Sequence, residues 1–135
     1  MGKPIATTKQ GGICFAFPDV CNTPSPSGQV PVPYPNTGKM EEANLVTTTV
    51  KAGGNWIITE ESKIENTTGD QAGSLGATNS TPPNSVGKSV AFKTFSGTVK
   101  AQGNRVVRMF DSTTQNNGNA VGQVLGGEAT ILVGD

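Results

Sequence analysis

The chain has 135 residues and a formal net charge of zero, with 33% hydrophobic and 15% charged residues. That length suits one core rather than two, the balanced charge lacks the basic excess that nucleic-acid binding exploits, and 18 glycines with 9 prolines favour turns over helices. No window sustains a helical period over three turns or reaches a membrane span, so one all-β domain over 1–135 is expected, with no nucleic-acid partner and no stable membrane anchor.

In chain order, MGKPIATTKQGG lacks the apolar stretch of a signal peptide, so synthesis in the cytoplasm is expected. A lipidation pattern starting at Gly2 fails at Ala6, where Ser or Thr is required. Cys14 and Cys21 come next; in a reducing compartment they read as a buried apolar residue and a spare thiol, whereas outside the cell a disulfide gains weight. Residues 17–38, FPDVCNTPSPSGQVPVPYPNTG, hold six of the nine prolines, with Pro31, Pro33 and Pro35 at alternate positions. Proline fixes φ and removes conformational freedom from the unfolded chain, so this stretch is expected to be extended and rigid. A Pro-rich linker or a ligand for an aromatic groove has the same composition, but Tyr34-Pro35-Asn36 and the β-rich flanks favour a folded role.

GKMEEANL predicts one or two helical turns, and ANLVTTTV, residues 43–50, predicts a strand. TVKAGGNWII (49–58) and TVKAQGNRVV (98–107) form a repeat offset by 49 residues. Each copy sets Gly-Asn between β-rich flanks, which predicts equivalent hairpins turning at Gly54-Asn55 and Gly103-Asn104. Between the copies, residues 69–88 are small, polar and interrupted by Pro82-Pro83, and predict an ordered loop or a flexible excursion. SVAFKTF (89–95) and EATILVGD (128–135) predict further short strands.

There is no histidine, which removes Ser-His-Asp and Cys-His arrangements and histidine-based zinc sites. VGKS at 86–89 copies the end of a phosphate-binding loop, yet Pro82 stands where that loop needs a glycine with a free N–H. Glu41-Glu42 and Glu60-Glu61 read as solvated surface rather than as an acid–base pair. The acceptor patterns at Asn66 and Asn79 matter only in a secreted chain of a suitable host.

The run Pro18, Asp19, Val20, Cys21, Thr23, Pro24, Pro26, Gly28, Pro31, Pro33, Tyr34, Pro35 and Asn36, followed by TTGDQAGSLG and VKAQGNRVVRMFDSTTQNN, resembles the PAAR-like family. Its members are spike-tip proteins of type VI secretion systems and related contractile injection machines. The resemblance runs from about Phe17 to Asn117. It implies a small cone of β-hairpins with pseudo-threefold internal symmetry, two faces of which match the repeat. The implied role is a non-enzymatic cap on a trimeric VgrG-type spike, one cap per trimer, aiding membrane puncture and linking an effector or its adaptor to the spike. Export at the tip of the apparatus follows. Phage tails and extracellular injection particles offer alternative settings, and a small toxin is a further alternative; the absence of a long C-terminal extension favours the cap alone. Family tips resemble metal-pinned points, with zinc held by histidines and a cysteine. This chain has QNN at 115–117 where the related segment often reads His-Asn, and Cys14 with Cys21 leaves a tetrahedral site two ligands short. No metal and no cofactor are therefore expected.

Overall fold

A computed structural model describes residues 2–135. The expected all-β class holds: thirteen strands and one 3-10 turn, Met40–Glu42, make up the regular structure of the described residues. The strands are β1 (Lys3–Ile5), β2 (Ile13–Ser25), β3 (Gly28–Lys39), β4 (Lys51–Ala52), β5 (Asn55–Trp56), β6 (Lys63–Ile64), β7 (Gly76–Ala77), β8 (Val90–Phe92), β9 (Lys100–Ala101), β10 (Asn104–Arg105), β11 (Ser112–Gln115), β12 (Ala120–Leu125) and β13 (Glu128–Val133). A sheet in the order β3-β2-β12-β11-β8-β6, with β7 also pairing β2, carries the body of the protein, and three two-stranded pairs, β4–β5, β9–β10 and β1–β13, stand apart from it.

Those three pairs are related by an internal threefold. Ile58 donates its N–H to the Ala6 carbonyl at 3.0 Å, Ala6 to Val107 at 2.9 Å, and Val107 to Ile58 at 3.0 Å, closing a ring of three backbone hydrogen bonds. A second ring repeats the pattern: Thr8 to Trp56 at 3.0 Å, Glu60 to Arg105 at 2.9 Å, and Met109 to Pro4 at 2.8 Å. Ala6, Ile58 and Val107 are fully buried, and Ile5, Ile57 and Val106 form a second buried layer with Ala52, Ala101 and Val133. Each fully buried Ile or Val contributes about 1.5–3 kcal/mol, so the axis is held by ordinary apolar packing as well as by the rings.

The rings identify the third face. Pairing of Lys3 with Val133 and Pro4 with Leu132 matches Asn55 with Ala52 and Trp56 with Lys51 in the first hairpin, and Asn104 with Ala101 in the second. The third hairpin is thus built from the two ends of the sequence. Arg108 ties it down: its guanidinium bonds Asp111 through Nε at 3.0 Å and Nη2 at 2.9 Å, while Nη1 donates to the Gly134 carbonyl at 3.0 Å.

Two expectations need correction. The hairpin turns are centred one residue earlier than Gly54-Asn55 and Gly103-Asn104: the loop residues are Gly53-Gly54 and Gln102-Gly103, all with positive φ, and Asn55 and Asn104 open the returning strands. Two consecutive left-handed residues make the turn that follows strand twist, and Gln102 meets this demand without being glycine. Residues 43–50 are not a strand. Thr47 accepts the Ile57 N–H on Oγ1 at 2.8 Å and donates that hydroxyl to the Val50 carbonyl at 2.7 Å, so side-chain bonds replace a regular ladder.

Gly54 and Gly103 have φ of 83° and 85°, and a Cβ at either would meet nothing within 4 Å. Valine at either position should therefore destabilise through the backbone alone, by about 1–2 kcal/mol. Thermal denaturation of Gly54→Val and Gly103→Val checks this, and equal midpoints for both variants and wild type would contradict the turn geometry.

The proline-rich motif forms the long β2–β3 hairpin, which pairs from Ile13 with Lys39 to Ser25 with Gly28 and spans roughly 40 Å. Strand β3 is the edge of its sheet. Prolines at alternate positions remove one of its two alternating sets of N–H groups, the set that would otherwise face outward and recruit another strand.

Candidate functional site

Two features stand out, an exposed threefold face and a sealed polar cluster. The face follows from the three hairpins. Counting from the paired residues, Val50, Val99 and Ile131 occupy equivalent positions, each immediately before the paired residues Lys51, Lys100 and Leu132. All three are exposed to a similar degree, 42%, 37% and 36%. Their inner equivalents Thr47, Ser96 and Glu128 are buried. Each face thus carries an apolar side chain at this equivalent position, and on the third face Leu132 beside it is exposed as well.

The cluster lies along β2 beyond the apolar core, and a bulge places it. Ala16 pairs with Asn36 and Asp19 with Tyr34, so Phe17 and Pro18 together oppose Pro35 alone. The extra residue reverses the alternation of inward positions, from Cys14 and Ala16 to Asp19 and Cys21. Without it a valine would face inward in place of the carboxylate.

Asp19 is buried and surrounded by donors. Oδ1 accepts from Asn119 Nδ2 at 2.5 Å, Asn116 Nδ2 at 3.2 Å and the Cys21 thiol at 3.7 Å, and Oδ2 accepts from Asn36 Nδ2 at 3.1 Å. The amides are held in turn: Asn36 donates also to Thr67 Oγ1 at 2.8 Å, Asn116 to the Ser85 carbonyl at 2.9 Å, and Asn119 to the Val20 carbonyl at 3.0 Å. Gln115 stands one layer closer to the core. Its Nε2 donates to Asn36 Oδ1 at 2.8 Å and to the carbonyls of Asn36 and Cys14 at 3.0 and 3.3 Å, while its Oε1 accepts from Thr113 at 2.8 Å.

Of the motif residues, Asp19, Cys21 and Asn36 converge on this cluster, and Thr23 meets the Tyr34 hydroxyl at 2.7 Å beside it. Val20 contributes its carbonyl. Pro24, Pro26 and Gly28 lie at the far end of the hairpin, and Pro18 sits in the bulge. Cys14 and Cys21 are both buried free thiols, raised to about 12, by burial for Cys14 and by burial with the nearby Asp19 and Asp70 for Cys21. Burial thus favours the thiol over the reactive thiolate at both positions. Sequence reasoning missed Asp70, Ser85, Thr67, Asn116 and Asn119 as partners; TTGDQAGSLG, which holds Thr67 and Asp70, and the QNN segment were the signals, and QNN pointed to a lost histidine rather than to a replacement.

Asp19, Cys21 and Asp70 bring one potential ligand atom each to within 4.8 Å of one another. This set does not fit the zinc of related tips. Three donors leave a closed tetrahedral site one short, Asp19 is already occupied by amide N–H groups, and Gln115 spends its nitrogen on three acceptors.

A family model described as a toxin PAAR-like domain matches residues 12–122. The chain is also similar to a DNase toxin, Tse7, of Pseudomonas aeruginosa, at 34% identity over 118 residues, an alignment covering 83% of this chain and 30% of that protein. No solved structure matches. No helix among the described residues is long and apolar enough to cross a membrane. With a family match over most of the chain, a range that includes the bulged proline-rich hairpin and the segment that ends in QNN, this protein belongs to the toxin PAAR-like domain family.

Proposed function

We propose that this domain is a non-enzymatic cap that sharpens the tip of a trimeric VgrG-type spike in a type VI secretion system, aids membrane puncture and couples an effector to the spike. The observation that carries this reading is the threefold face: two backbone rings and three apolar side chains, Val50, Val99 and Ile131, repeated in one polypeptide. A single chain with this symmetry meets the blunt end of a threefold partner at three equivalent contacts without forming a trimer itself. Strand ends at that partner's tip offer backbone groups for the hairpins to pair, and the apolar side chains lose exposed area on docking. Export at the tip of the apparatus goes with this role.

DNase chemistry belongs, in this reading, outside these residues. The clustered carboxylates Asp19 and Asp70 are closed to solvent and face one another, out of reach of a substrate. Co-purification with spike trimers encoded in the same genome tests the proposal: comigration with one of them is expected, and failure to associate with any would overturn it.

A further inference from the structure

The polar cluster contains one unexplained atom. Asp70 is fully buried; its Oδ2 accepts the Gly87 N–H at 3.0 Å, but Oδ1 has no hydrogen-bond partner, although an oxygen of the same carboxyl group lies within 4.8 Å of an Asp19 oxygen and the Cys21 sulfur. Two carboxylates in contact and cut off from water repel one another unless one is protonated or a cation intervenes. Among the described residues no basic side chain stands between them. Strand β2 contributes Asp19 and the neutral Cys21 thiol; β3 contributes Asn36, and Tyr34, whose hydroxyl is engaged with Thr23; the β11–β12 connection contributes Asn116 and Asn119. The 69–88 loop adds Lys88 through its backbone N–H to Asn116 Oδ1 at 3.0 Å, and among the described residues no Lys or Arg pairs with either carboxylate. Every polar neighbour of Asp19 is a donor, so Asp19 is the acceptor of the pair and Asp70 must supply the hydrogen.

We infer that Asp70 and Asp19 share one proton, which latches the 69–88 loop onto the β2–β3 hairpin and releases its hold as the pH rises. The loop is also tied there by other bonds, the Leu75 N–H to the Asn22 carbonyl at 3.1 Å and the Thr78 hydroxyl to the Val20 carbonyl at 3.4 Å among them, so the latch adds to a standing attachment. Strand β7 pairs with Cys21 and Asn22, the Thr78 N–H reaches the Val20 carbonyl at 3.1 Å, and Asp70 organises both loop ends, through Gly87 and through its carbonyl to the Gly73 N–H at 2.9 Å. Burial, then the bond to Asp19, raises Asp70 from 3.8 to about 6. A carboxyl that holds its proton more tightly when folded stabilises the fold fully below the unfolded value and loses that contribution as pH rises through about 6.

The chain has no histidine, so no other side chain has a reference pKa between about 5 and 7.5, and the window reports on this pair. The melting temperature of the wild-type protein is expected to fall by roughly 3–5 °C from pH 5 to pH 7.5. Asp70→Asn supplies a permanent donor toward Asp19 while its oxygen accepts from Gly87, and should be flat over that range. A flat wild type, or a variant as pH-dependent as wild type, would overturn the inference. Carbon-13 titration of the aspartate carboxyls in the wild-type protein provides the second measurement, independent of whether the variant folds: one carboxyl is expected to titrate near pH 6, and all of them titrating below pH 5 would overturn the shared proton. So would one zinc per chain retained after dialysis.

Discussion

Asp19→Ala is expected to destabilise the domain by about 3–5 kcal/mol, a large share of the roughly 5–15 kcal/mol that holds a domain of this kind. The carboxylate accepts one N–H from each of Asn36, Asn116 and Asn119, and alanine leaves all three without that acceptor in a space closed to solvent. Each orphaned donor costs about 1–3 kcal/mol, and the bonds that the same amides make to Thr67, Ser85 and Val20 limit how far they can turn to find replacements. Loss of the midpoint by on the order of 10 °C or more in thermal denaturation is the expected reading. A midpoint within a degree or two of wild type would show that the cluster is not a principal support of the hairpin.

The second large effect concerns binding rather than stability. Val50→Asp, Val99→Asp and Ile131→Asp each put a carboxylate at the exposed threefold face, where the wild-type side chains are 36–42% exposed. In the isolated domain the new charge keeps access to water but the covered part of the apolar side chain is lost, so melting should fall by only a few degrees. On docking it must be desolvated against an apolar surface, and affinity for the spike should fall on the order of 30-fold or more for each substitution. The threefold sharpens the expectation: the three variants should weaken binding to comparable extents, and the triple variant should not bind. Surface plasmon resonance on an immobilised spike checks this, and wild-type affinity in the triple variant would remove these side chains from the contact.

Much of the architecture was legible in the sequence because it rests on local chemistry. The TVKA repeat marks two faces through turn residues and β-branched flanks, and alternating prolines mark an extended strand without help from distant contacts. The third face was not legible, because its hairpin joins residues near position 3 to residues near 133, and no continuous stretch carries the pattern. Turn centres shifted by one residue because Gly-Asn and Gly-Gly both satisfy positive φ, and register depends on the partner strand. Asp19 and Cys21 stood out within the motif, but their inward orientation depends on a bulge at Phe17-Pro18. Asp70 and Asn116 lie in segments that carry the family resemblance, but they and Asn119 are about 50 to 100 residues away from Asp19, and the sequence does not show that they meet.

In the proposed role one polypeptide supplies all three contacts to a threefold spike. Native mass spectrometry of the purified complex tests it most directly. One copy of this chain per three spike chains is the predicted mass; three copies per spike trimer would contradict it.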